Sequence, residues 1–155
     1  MFNIQLDLLL HKDSLLTKTE NGKTYIWDAL RKNYFVLTPE ETVRQLLIIH
    51  FLENYKALSN KLSVEKELKI NLRKKRFDLL VYDESFKPYM LIECKAPYIE
   101  IGQSVLDQVA WYNVALEAPY LMVTNGMVSY CAKIDFQKKS YEFLHSLPFE
   151  EENSQ

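Results

Sequence analysis

Arg76-Phe77-Asp78-Leu79-Leu80-Val81-Tyr82 is followed, past a polar turn ending at Pro88, by Met90-Leu91-Ile92-Glu93-Cys94-Lys95-Ala96. Both halves are short apolar runs bounded by turn residues, which predicts two buried strands. Charged side chains are seldom buried unless they are paired or hold a metal, yet one acidic residue stands in the first run, and an acid and a lysine stand in the second. Alternation along a strand puts Glu93 and Lys95 on one face with Leu91, and Ile92 and Cys94 on the other. Apolar residues on both faces imply a central strand. If the two runs pair as a hairpin, Asp78 joins Glu93 and Lys95. Two carboxylates and one ammonium then share a spot suited to a divalent cation and a phosphate.

Working outward, Ser63–Ile70 reads as a preceding strand, with Asn71–Lys75 as a polar, basic turn. Upstream, Thr38-Pro39-Glu40-Glu41 marks a helix start: Thr38 as N-cap, Pro39 at the first helical position and Glu41 completing a capping box. That helix runs to about Tyr55, with Val43, Leu46, Leu47, His50 and Phe51 on its buried stripe. Downstream, Pro97 stops the third strand and Gln103–Leu116 reads as a helix. Leu121–Thr124 is a short buried strand closed by Asn125-Gly126, and Met127–Lys133 is the last strand of a hairpin. Tyr141–Leu147 forms a small closing element. The order α-β-β-β-α-β predicts an α/β fold, a mixed central sheet flanked by helices. Residues 1–37 read as an N-terminal extension containing a strand or short hairpin near Lys23–Trp27 and a short helix over Asp28–Asn33. One domain is expected over residues 1–150, with its core at 38–133 and a frayed acidic tail at 151–155.

The 155 residues suffice for one domain with a real core. Hydrophobic residues make up 48% and the formal net charge is −2, which excludes a protein that coats nucleic acid by bulk charge. A local basic cluster does exist at Lys69, Arg73, Lys74, Lys75 and Arg76. Met1–Leu10 lacks the basic start and cleavage site of a secretory leader, and no apolar run reaches membrane-spanning length, so a cytosolic protein without membrane contact is expected. Cys94 and Cys131 lack metal-finger spacing and read as reduced thiols. With only Gly22, Gly102 and Gly126 there is no GxxxxGK[ST] loop, hence no ATP site of that kind.

The ordered set Thr38–Gln45, Arg76–Tyr82, Leu91–Pro97 and the later Thr124-Asn125-Gly126 resembles the PD-(D/E)XK nuclease superfamily. Within it, the chain is most similar to the N-terminal nuclease domain of type I restriction enzyme motor subunits. The resemblance spans roughly residues 28 to 130, and Phe77 stands where the family name has proline. It implies a restriction-endonuclease-like core and Mg²⁺- or Mn²⁺-dependent DNA cleavage. Asp78, Glu93 and the backbone carbonyl of Cys94 would hold the metal, and Lys95 would orient the attacking water or stabilise negative charge. Gln108 and Tyr112, one helical turn apart, resemble a post-motif helix that supports the metal site and contacts DNA. Glu41 is a third acidic candidate, with Glu40 competing. Arg44, Arg73, Lys74, Lys75 and Arg76 are candidates for DNA backbone contacts. DNA is the expected partner. Separate motor or specificity subunits and a homodimer are also implied, the chain ending where a motor would begin.

Each of these residues has a plainer reading beside the chemical one. Glu41 is equally explained by the capping box. Tyr112 falls on an apolar stripe, Gln108 could be a surface residue, and the basic hairpin could be a solvated turn. The competing function is a non-catalytic module of the same fold that binds nucleic acid or protein.

Overall fold

The computed structural model describes residues 2–149; the expected acidic tail lies outside the described residues. A 3-10 turn over Leu8–Ser14 leads into three short strands, β1 (Thr17–Glu20), β2 (Lys23–Asp28) and β3 (Asn33–Val36), which form an antiparallel sheet of their own. Of the two readings at Lys23–Trp27 the hairpin is the one that forms, β1 with β2, but the short helix over Asp28–Asn33 does not exist. Buried Asp28 closes a single turn instead, its Oδ1 accepting the Leu30 and Arg31 N–H groups at 2.8 and 2.9 Å. Lys32, at φ 55°, then throws the chain into β3.

Helix α1 (Pro39–Asn54) begins as predicted, with the Thr38 hydroxyl accepting the Glu41 N–H at 3.1 Å. After it come β4 (Leu62–Ile70), β5 (Arg73–Tyr82), β6 (Pro88–Cys94), α2 (Gln103–Asn113), β7 (Tyr120–Thr124), β8 (Ser129–Asp135) and β9 (Ser140–Phe143). The six strands order β4-β5-β6-β7-β8-β9 in one mixed sheet, and only β6 and β7 run parallel. A parallel pair needs a crossover, and α2 supplies it.

Both faces of this sheet are covered. Leu79, Val81, Met90, Ile92, Cys94 and Met122 pack with α1 residues Val43, Leu46, Leu47 and Phe51. Leu80, Leu91, Leu121 and Val123 pack with Leu106 and Val109 of α2. Two-sided burial is why β5, β6 and β7 read as nearly continuous apolar runs. Ile4 bridges to Ser129, and Leu8 enters the core on the α1 side.

Two boundaries differ from the sequence reading. The β4–β5 turn is only Asn71-Leu72, both with positive φ (49° and 68°), the backbone of a tight hairpin. Arg73, Lys74 and Lys75 therefore stand on β5 rather than in a loop. Helix α2 ends at Asn113, short of Leu116. The buried Asn113 amide donates to the Ala118 carbonyl at 2.7 Å and accepts the Ala118 N–H at 3.1 Å, turning the chain back toward β7.

Candidate functional site

Regular pairing of β5 with β6 begins at Leu79–Ile92. One residue earlier the ladder stops, and the Asp78 side chain takes its place: Oδ2 accepts the Cys94 N–H at 2.8 Å. A carboxylate substituting for a ladder carbonyl sets Asp78 beside Glu93, Cys94 and Lys95. On the other side of β5, Glu65 stands in β4 opposite Asp78. It has φ 51°, unusual for a non-glycine residue within a strand, and its neighbours pair with Leu79 and Phe77. The sheet is thus interrupted on both flanks of Asp78.

Glu93 and Lys95 share a face, as strand alternation requires, with Lys95 Nζ 3.8 Å from Glu93 Oε1. Lys75 Nζ lies at the same distance from Glu93 and also caps the Tyr112 ring, 4.3 Å from its centroid. Burial, reinforced by the nearby Asp78 charge, pushes the Glu93 carboxyl up to about 7, although Lys75 and Lys95 pull it down. Burial also raises the Asp78 carboxyl, against the Cys94 N–H and Arg44, which hold it down. The Cys94 thiol is buried, and burial drives its proton affinity well up, so it is no nucleophile.

Arg44, expected to touch DNA, is instead 4% exposed and turned inward. Its Nη2 reaches Asp78 Oδ1 at 3.1 Å. Nη1 lies 3.2 Å from Glu41 Oε2 and 3.1 Å from Glu65 Oε1, in ion-pair range but not in hydrogen-bond alignment. Arg31 completes the network, with contacts to Asp28 (2.6 Å), Glu65 (3.0 Å) and Glu41 (3.1 Å). Gln45 adds a hydrogen bond to Glu41 at 3.1 Å.

Glu41 therefore does not close the capping box through its side chain. Its carboxylate is engaged by two guanidinium groups and one amide, which makes it an anchor for Arg44. The acid whose charge reaches both Asp78 and Glu93 is the exposed neighbour Glu40. Gln108 is exposed on α2, and among the described residues no hydrogen bond joins it to the carboxylates. Tyr112 connects to the site through Lys75. Of the basic residues, Arg76 turns away to Glu65 at 3.6 Å, while Arg73, Lys74 and Lys75 stay on one side of the hairpin: Lys75 over Tyr112, Lys74 also paired with Glu67 at 3.3 Å, and Arg73 exposed. Arg31 and Glu65 carried no signal in the sequence, because only folding brings them to α1.

Among the described residues no group of three or more His, Cys, Asp or Glu side chains converges as a metal cage. The arrangement at Asp78 nevertheless fits a hard divalent cation. Such ions retain waters and need only one or two protein carboxylates. In a strand the N–H and C=O of one residue point the same way, so the Cys94 carbonyl, like its N–H, is directed to the Asp78 side. Burial raises both the Glu93 and Asp78 carboxyls, so a cation that entered there would be held in a poorly solvated spot.

No curated protein matches the chain. The family model described as "Type I restriction enzyme R protein N terminus (HSDR_N)" matches residues 39–148, from the first residue of α1 to just past β9. That match covers most of the polypeptide, including Asp78, Glu93 and Lys95, and the chain belongs to this family.

Proposed function

We propose that this protein is a divalent-metal-dependent DNA endonuclease that hydrolyses phosphodiester bonds. The observation that carries the reading is the seat of Asp78 at the parting of β5 and β6, hydrogen-bonded to Cys94 between Glu93 and Lys95. Membership of an R-protein family supports DNA as substrate and further subunits as partners.

Asp78, Glu93 and the Cys94 carbonyl would hold Mg²⁺ or Mn²⁺, which supplies charge neutralisation at the phosphate and polarisation of water. The remaining work belongs to the protein. Arg44 fixes the Asp78 carboxylate from behind through Oδ1. The Lys95 ammonium is partly exposed, so it can meet an incoming phosphate and stabilise negative charge as it develops. Lys75 neutralises Glu93 until the substrate arrives.

The test is a panel of linear, circular and single-stranded DNA incubated with Mg²⁺ and with Mn²⁺. Cleavage is expected from the wild type. Asp78→Asn, Glu93→Gln and Lys95→Ala should each lose roughly 100-fold or more while keeping an unchanged circular dichroism spectrum. Calorimetry with Mn²⁺ should show binding that Asp78→Asn weakens. A folded wild type that cuts none of these substrates sinks the hydrolase reading. If it also fails to bind metal, the non-catalytic binding module takes its place.

A further inference from the structure

Beside the carboxylates, the β4–β5 hairpin and the outer face of α2 enclose a groove of about 430 Å³, lined by Asn71, Arg73, Lys74, Lys75, Trp111 and Tyr112. None of these lining residues is acidic and three are cationic; Lys74 also pairs with Glu67 at 3.3 Å and Lys75 lies 3.8 Å from Glu93, so Arg73 is the cation without an ion pair among the described residues. Trp111 is 58% exposed, its indole set edge-on to Tyr112 with ring centroids 5.3 Å apart. Lys75 joins the groove to the site, since the same ammonium lies over the Tyr112 ring and 3.8 Å from Glu93.

A scattered exposed apolar residue is ordinary on a protein surface. An exposed indole set among three cations is the composition of a single-strand platform, where cations follow the backbone and an aromatic face takes a base. Within a duplex a base offers its edges in the grooves and hides its faces in the stack, so along a strand it is an unpaired nucleotide that can lay a face on the indole. We infer that this groove holds an unpaired nucleic-acid strand, with one base stacked on Trp111 and its phosphates along Arg73, Lys74 and Lys75. The strand then runs past Lys75 toward Asp78 and Glu93. The inference rests on the nuclease reading for its choice of ligand, and it narrows the substrate to DNA with single-stranded character at or next to the cut.

The experiment uses the full chain carrying Trp27→Phe, which leaves Trp111 as the sole indole, with a chelator present so that nothing is cut. Short oligothymidine should quench the Trp111 fluorescence as it binds. Trp111→Ala should weaken oligothymidine binding about 10-fold, Trp111→Phe should restore most of it, and affinity for a blunt duplex should stay as in the wild type. The inference is overturned if oligothymidine does not bind, if it binds without quenching, if Trp111→Ala keeps wild-type affinity, or if duplex binding falls in parallel. Cleavage with Mn²⁺ is measured separately. A protein that stacks thymidine on Trp111 but cuts nothing upholds the groove and sinks the hydrolase; one that cuts with Trp111 unquenched does the reverse.

Discussion

Arg44 holds Asp78 from the interior side: Nη2 lies 3.1 Å from Oδ1, while Oδ2 faces the Cys94 N–H at 2.8 Å. The carboxylate is thus oriented by two partners before any ligand is present. Preorganisation of this kind removes a cost from the step that follows. It also places a buried cation where Glu41, Glu65 and Asp78 all depend on it.

Removing that cation should be expensive. Arg44→Ala leaves three poorly solvated carboxylates with too little positive charge, and urea unfolding should show a loss of about 3–5 kcal/mol. Arg44→Lys should lose less, because an ammonium can serve one carboxylate but cannot span several as the planar guanidinium does. An unchanged unfolding midpoint for Arg44→Ala would mean that the network contributes nothing to folding.

Glu93 should make stability fall as pH rises. Burial and the Asp78 charge lift its carboxyl from an ordinary 4.5 to about 7, so the folded protein holds a proton that the unfolded chain has released across that window. The cost of ionising it accumulates through the window and is complete above it. Glu93→Gln abolishes this titration. The variant should match the wild type at the acidic end and exceed it by about 3 kcal/mol at the alkaline end. Denaturation curves recorded on both sides of the window decide it, and a gap that is flat or widens toward acid refutes it.

The β4–β5 turn offers a stabilising change. Leu72 sits at φ 68° with 92% of its surface exposed, so it bears a left-handed backbone with no packing in return. Leu72→Gly should raise stability by about 1 kcal/mol, whereas Asn71→Gly should do little, because asparagine tolerates this region. Thermal unfolding of the two variants distinguishes them; equal shifts would argue against relief of strain at Leu72.

Asp78, Glu93 and Lys95 were legible in the sequence because acids and a lysine inside apolar runs violate the ordinary rule of burial and demand a reason. Helix α1 was legible from Thr38 and Pro39, whose local chemistry fixes a helix start whatever the fold. Arg44 was not, because Thr42-Val43-Arg44-Gln45 looks like any first turn facing water, and its inward rotation depends on partners at positions 28–31, 65 and 78. The tight turn at Asn71-Leu72 was hidden for a different reason: leucine gives no hint of a left-handed backbone, so the basic run after it read as loop. Helix α2 looked longer than it is because Leu116 keeps the periodicity, while the Asn113 clamp that ends the helix is a contact with Ala118 that periodicity does not encode.

The Asp28–Arg31 turn lies upstream of the stretch shared with the family, which starts at Pro39. A polypeptide trimmed to that start would retain every residue named for chemistry, yet Glu41 and Asp78 would be left to share the Arg44 guanidinium, with Glu65 drawing on Arg44 and the more distant Arg76. Small as it is, the leading β-meander therefore acts as the counterweight of the carboxylate cluster, and shortening the chain to its shared portion would upset the charge balance on which Asp78 rests.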